Sequence, residues 1–250
     1  MVTREDIQAT CDDIIRKFNP LQVILFGSHA YGTPTEDSDV DLLVVMDAPE
    51  AETRRCDTEI RRRISYRFPM DLLVRSREDM AYRIAYNDWF LREIMEKGEV
   101  LYGTIHPFRQ VSVEKRDSMN PLTLEGVQKA EEDYTTIEWL QQAPTPNYNM
   151  ICFLSQQCAE KYLKAWLQEA DIPFARIHDL GTLLDLITPT FPTWRAWRSD
   201  LSELSKYAVV TRYPGGSATP MDTEQAVQIC AKVRQAIRSE LKVSQNQSEN

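Results

Sequence analysis

The run Val40-Asp41-Leu42-Leu43-Val44-Val45-Met46 constrains the fold more than any other stretch of this chain. Apart from Asp41 it is continuously apolar, without the alternation of a strand that keeps one face in water. A strand apolar on both faces belongs inside a sheet covered by helices on each side. Side chains two apart on a strand point the same way. Asp39 and Asp41 therefore project together, while Val40 and Leu42 face away.

Upstream, Gln22 to Phe26 is a short apolar strand, and Gly27-Ser28 turns it towards a helix whose free backbone N–H groups would face a phosphate. Downstream, Asp71 opens the next apolar run, Met70-Asp71-Leu72-Leu73-Val74. One aspartate at a strand mouth is usually a solvated end residue. Three that converge are costly, since two like charges about 4 Å apart repel by roughly 4 kcal/mol at an effective dielectric of about 20. A cation or a retained proton must offset that repulsion. Oxygen-only ligands suit magnesium, which takes its other ligands from water and substrate phosphates. A phosphate-holding turn beside such a carboxylate set is the apparatus for moving a nucleotidyl group from a nucleoside triphosphate.

Gly27-Ser28, ten further residues, Asp39-x-Asp41 and Asp71, with Tyr31-Gly32 and Asp37-Ser38 inside the spacer, resemble the minimal nucleotidyltransferases of the polymerase-beta superfamily. The match covers about the first hundred residues, ending near Val100-Leu101-Tyr102-Gly103. The resemblance implies an α+β domain, a mixed sheet with flanking helices. It further implies Asp39, Asp41 and Asp71 as catalytic residues and ligands of two Mg²⁺ ions, and Gly27 and Ser28 as nucleotide-binding residues. The donor is then a nucleoside triphosphate, with ATP the first expectation.

Elsewhere in this part, Thr3-Arg4-Glu5-Asp6 reads as a capping box for a helix ending at Asn19-Pro20. Ala51 to Phe68 reads as a helix, Glu78 to Lys97 as a helical stretch broken around Asn87-Asp88, and Glu99 to Tyr102 as a last strand. Arg54, Arg55, Arg61, Arg62, Arg63 and Arg67 alternate with Asp57 and Glu59 on the predicted 51–68 helix, which points to a salt-bridged solvent face rather than a phosphate-binding one. These readings divide the chain into a nucleotidyltransferase domain at 1–103, a linker at 104–121, an all-helical part at 122–243 and a disordered polar tail at 244–250.

The helical part carries five apolar stripes, from Val127-Ala130-Tyr134-Ile137 to Ala226-Ile229-Val233-Ile237, and short links between them describe a bundle. Phe153 to Ala165, then His178-Asp179-Leu180 and Tyr207 to Pro214, resemble the HEPN helical domain. That resemblance implies pairing through helices to a homodimer, and a kinship with toxin–antitoxin pairs in which the two domain types occur together. HEPN ribonucleases use an Arg followed after four to six residues by a His. The three histidines here, His29, His106 and His178, have no Arg so placed, and Arg176 is just two residues before His178. The ribonuclease chemistry is therefore not expected. His178 reads as a helix cap or interhelix hydrogen-bonder, while Lys161, Lys164, Arg212 and Tyr213 are candidates for lining a nucleotide or anion site.

The formal charge of −9 argues against a general nucleic-acid binder. Five cysteines without a Cys-x-x-Cys pair argue against a disulfide framework or zinc site. No apolar run approaches a membrane span, and the charged N-terminus lacks a signal-peptide pattern, so a soluble, cytoplasmic protein is expected. Three acceptors fit: a protein hydroxyl, an aminoglycoside-like molecule or RNA. The alternative is a non-catalytic nucleotide-binding regulatory or toxin–antitoxin-type module acting through HEPN contacts.

Overall fold

The computed structural model describes residues 2–36, 38–104, 118–174, 177–210 and 216–243. Most of the expected linker, the tail at 244–250, and Asp37, Arg176, Arg212 and Tyr213 lie outside the described residues. The chain divides into two compact units, Met1–Glu114 and Lys115–Asn250.

The first unit runs α1 (Arg4–Phe18), β1 (Gln22–Phe26), α2 (Ser28–Tyr31), β2 (Val40–Met46), α3 (Glu50–Arg63), β3 (Met70–Ser76), α4 (Arg77–Ala85), α5 (Trp89–Lys97) and β4 (Glu99–Tyr102). The sheet order is β3-β2-β1-β4. β1 pairs antiparallel with both β2 and β4, whereas β2 and β3 are parallel, so the sheet is mixed. Every residue of β2 is buried. Val40, Leu42, Val44 and Met46 pack with Ile7, Cys11 and Ile14 of α1 and Ile60 of α3. Leu43 and Val45 pack on the opposite layer with Met80 of α4 and Leu91 and Ile94 of α5. The apolar run is thus two-sided because helices cover both faces of the sheet. Full burial of each Leu or Val is worth about 1.5–3 kcal/mol.

Helix boundaries follow local chemistry where side chains cap them. Thr3 accepts from the Asp6 N–H while the Asp6 carboxylate accepts from the Thr3 N–H, the reciprocal capping box that starts α1. Asn19 ends it in the left-handed region, at φ 46°. The 78–97 stretch breaks at Asn87, also left-handed, and Asp88 caps α5 by accepting from the Leu91 N–H.

One boundary differs from the expectation. α3 ends at Arg63, not Phe68, and Ile64 is already extended at ψ 153°. Lys17 donates to the Arg63 carbonyl at 2.6 Å, and the Ser65 N–H donates to the Asp13 carboxylate at 3.3 Å. Helix α1 captures the chain there, and the residue before Pro69 is biased away from helix. Arg67 is consequently not on the helix. The salt-bridged face itself is present, with Arg61 on Asp57 at 3.2 Å and Arg62 on Glu59 at 3.0 Å.

The second unit is helical: α6 (Pro121–Gln141), α7 (Tyr148–Glu169), α8 (Leu180–Ile187), a 3₁₀ stretch (Pro192–Trp197), α9 (Arg198–Ser205), α10 (Tyr207–Val210) and α11 (Pro220–Glu240). Helix α7 is central, and Cys152, Cys158, Ala159, Tyr162, Leu163 and Leu167 are buried in one core with residues of α6, α8, α9 and α11. Tyr162 and Arg234 both donate to Glu131, Arg234 through two bonds of 2.7 Å, and Arg238 lies at 3.2 Å from the same carboxylate.

Candidate active site

The site forms where β1 ends and β2 and β3 begin. Asp41 sits opposite Phe26 in the antiparallel ladder and opposite Asp71 in the parallel one. Neighbouring strands lie about 5 Å apart, so register partners are side-by-side on one face. That face belongs to Leu43, Val45 and Leu73, under α4 and α5. Phe26 on the same face meets the edge of Phe90 at 5.7 Å, which fixes α5 against the strand end.

Gly27 occupies the turn at φ 69° and ψ −149°, a conformation that L side chains rarely adopt. A Cβ at this position would stand 2.2 Å from Asp41 Oδ2. The turn therefore lets bare backbone lie against the acid, and Asp41 is only 7 % exposed there. The helix expected after Gly27-Ser28 is a single turn, Ser28–Tyr31, with the Ala30 and Tyr31 N–H groups both donating to the Gly27 carbonyl at 3.1 Å. The Ser28 and His29 N–H groups come before the first intrahelical bonds, so these two amides keep donor capacity towards a ligand.

The ten-residue spacer is tied back to the same turn. His29 Nε2 lies 3.3 Å from the Ser38 carbonyl, and the Ser38 hydroxyl accepts from the Thr35 N–H at 2.8 Å. Asp39 follows directly, exposed, two residues before Asp41, and Asp71 is exposed as well. The structure thus brings Gly27, Asp41 and Asp71 together and sets Asp39 at the strand mouth. Among the described residues no three His, Cys, Asp or Glu side chains are grouped closely enough to hold a metal ion as they stand.

Motif spacing did not single out the Tyr31 surroundings. Lys97 Nζ lies 5.9 Å from the centre of the Tyr31 ring and 3.0 Å from Glu93. Burial first, then the negative charges of Glu93 and Asp41, push the Tyr31 phenol above its ordinary range, against the pull of Lys97 and a backbone group of Gly27. The hydrogen bond to Glu93 raises Lys97. Both groups therefore keep their protons at neutral pH, and α5 adds a charged pair beside the turn. The signal that could have found them is helical spacing, since Glu93 and Lys97 are four apart, but nothing in the sequence tied them to Tyr31.

In the second unit, both candidate lysines have acid partners: Lys164 meets Glu160 at 2.8 Å, and Lys161 pairs with Asp133. His178 is an interhelix hydrogen-bonder, its Nδ1 2.9 Å from Glu160, whereas Asp179 caps α8. Burial would raise Glu160, but the bonds from His178, Lys164 and Gln156 outweigh it and hold the carboxyl at about 2. These groups anchor the α7–α8 connection.

A family model described as nucleotidyltransferase domain matches residues 10–120, and one described as HEPN domain matches residues 125–240. A protein of Methanocaldococcus jannaschii named as a candidate protein adenylyltransferase is similar, 35 % identical over 81 residues that span 32 % of this chain and 77 % of the relative. The crystal structure of spectinomycin adenyltransferase AAD(9) from Enterococcus faecialis with ATP and spectinomycin is similar at a TM-score of 0.48 and 12 % identity, covering 95 % of this chain and all of that one.

Proposed function

This chain belongs to the nucleotidyltransferase family and carries a HEPN domain behind that unit, and from this premise we propose that it transfers the adenylyl group of ATP, held with magnesium, to a hydroxyl on a protein. The observation that carries the reading is the bare Gly27 backbone against the Asp41 carboxylate, with Asp71 in register beside it. The donor set is oxygen-only, as magnesium requires. Asp41 is fixed by burial, while Asp39 at the strand mouth and Asp71 in register beside it are both exposed. Asp39, Asp41 and Asp71 would hold the metal, which supplies charge neutralisation on the leaving pyrophosphate and a lowered pKa for the attacking hydroxyl.

The chain's own residues do the rest. The Gly27-Ser28 turn directs backbone N–H groups at the β- and γ-phosphates. Asp71 faces the acceptor and takes its proton as the hydroxyl oxygen bonds to the α-phosphorus. The bond from that phosphorus to the β-bridging oxygen breaks, and pyrophosphate leaves. Positioning and preorganised charge account for most of the rate in such a site. A protein acceptor is favoured because the 35 %-identical relative is named for one. The HEPN unit, without a ribonuclease Arg/His pair, serves protein contacts, including a homodimer through its helices. Among the described residues, no helix is long and apolar enough to cross a membrane.

The test incubates purified protein with Mg²⁺ and each labelled triphosphate, following pyrophosphate and intact mass. Acceptors are offered in turn: cell-lysate proteins, aminoglycosides and RNA. Asp39→Asn, Asp41→Asn and Asp71→Asn should each cut turnover by about 10²-fold or more. Full turnover in all three variants would sink the assignment. Label on an aminoglycoside or RNA, with proteins unlabelled, would replace the acceptor. ATP binding without pyrophosphate release would leave the non-catalytic regulatory module as the better account.

A further inference from the structure

Arg61 is one of six arginines in and after α3, yet its contacts differ from a surface ion pair. Its Nη1 donates to the Met70 carbonyl and its Nη2 to the Leu72 carbonyl, both at 3.1 Å, while Nε faces Asp57 at 3.2 Å. The two carbonyls belong to the residues on either side of Asp71, on the edge strand of the sheet. Edge-strand carbonyls otherwise face water or compete for another chain. Two residues of strand span about 6.6 Å, and the planar guanidinium fork closes that span with one side chain. The lysine ammonium, a single point charge, has no equivalent geometry. Helix α3 is itself seated by Ile60, and the chain just past its end by Ile64, in one core with β2 and β3.

We infer that Arg61 is a positioning residue for the transfer reaction: it clamps the β3 backbone on both sides of Asp71 and so holds that carboxylate level with Asp41. The inference rests on the proposed role of Asp71 and deepens it. Arg61 acts through backbone carbonyls, so its effect should exist only while Asp71 has a function to perform.

The experiment is a double-mutant cycle of Arg61→Ala and Asp71→Asn, with Arg61→Lys as the charge-preserving variant and Arg62→Ala as a surface control. Arg62 pairs only with Glu59 among the described residues, and its side chain is 72 % exposed. Readouts are kcat and KM for ATP, the affinity of the full chain for Mn²⁺ with a non-hydrolysable ATP analogue by calorimetry, and thermal unfolding. A 1 Å misplacement costs up to about 10²-fold in rate. Arg61→Ala should lower kcat about 10-fold with KM within a factor of about two, and weaken Mn²⁺ binding several-fold. Arg61→Lys, folded and equally charged, should recover less than half of that loss. In the Asp71→Asn background, Arg61→Ala should change kcat by less than about twofold. Multiplicative effects, or full activity in Arg61→Lys, would overturn the inference while leaving the transferase reading intact. A wild type without turnover defeats the transferase reading instead. The Mn²⁺ cycle then still decides whether Arg61 sets the geometry of Asp71: equal losses of affinity in the presence and absence of the Asp71 carboxylate would overturn it.

Discussion

Gly27→Ala separates strain in the fold from damage to the site. The new Cβ would stand 2.2 Å from Asp41 Oδ2 and 3.0 Å from its Cγ, where ordinary contact begins at about 3.4 Å. Asp41 or the turn must therefore move by about 1 Å. Asp41 has little room to retreat, since Leu42, Leu43 and Val44 beside it are completely buried. The φ of 69° adds about 1–2 kcal/mol for a residue with a Cβ. In a unit of this size that is a melting shift of roughly 4–8 °C. The catalytic loss should be far larger, about 10²-fold in kcat for a 1 Å displacement of a carboxylate that the proposed mechanism assigns to the metal. Gly103→Ala is the matched control. Gly103 has φ 85°, and its Cβ would lie 2.3 Å from the Leu21 carbonyl, at the opposite end of β1 from the acids. It should melt early to a similar degree and keep its kcat. Pyrophosphate release at saturating ATP, run well below both melting points, gives the comparison. Normal kcat in Gly27→Ala, or an equal kcat loss in Gly103→Ala, would refute the reasoning.

Other outcomes are expected from the second unit and the thiols. Glu160, held at about 2 against a reference of 4.5, has a depressed folded pKa, so its stabilisation is complete above about pH 5 and drains away as pH falls towards 2. The shift corresponds to about 3 kcal/mol at neutral pH, and Glu160→Gln should flatten the acid limb of a pH–unfolding curve monitored by circular dichroism. Arg234→Ala leaves Glu131 with Arg238 and Tyr162 but removes its bidentate partner, and should cost about 3 kcal/mol in urea unfolding. Four of the five cysteines are buried, and Cys56 is half-buried with its thiol raised first by burial. Under native conditions a thiol reagent should react fastest at Cys56, and mass spectrometry after brief labelling will show whether another cysteine leads.

Much of the catalytic unit was legible because its signals are local. The uninterrupted apolar run of β2 announces a covered sheet, and the Asp-x-Asp spacing places two carboxylates on one side of it. The cap at Thr3 and the break around Asn87-Asp88 are written in adjacent residues. The early end of α3 was not legible, because Asp13 and Lys17 impose it from about fifty residues away. Nor was the distinction of Arg61 from its neighbours, which exists only once β3 lies along α3. The face-to-face stack of Phe191, Trp194 and Trp197, at 4.5 Å between successive rings, rides on a 3₁₀ stretch whose three-residue period no helical template picks out. The His178 contact with Glu160 likewise required α7 and α8 to meet.

The placement of β4 has a kinetic consequence. This four-residue strand is the last of the sheet to leave the ribosome, yet it covers β1, the first, with Glu99 opposite Leu25. β1, β2 and β3 can pair as soon as Ser76 emerges, since each adjoins a strand near it in the chain. Until residues 89–102 follow, the outer edge of β1 carries unpaired backbone groups, and Ile24 and Phe26 lack Leu91 and Ile94 above them. An open edge of this kind is a template for pairing with another chain. Docking of Glu99–Tyr102 closes that interval, so the shortest strand of the sheet sets how long a nascent copy stays exposed to its neighbours on a polysome.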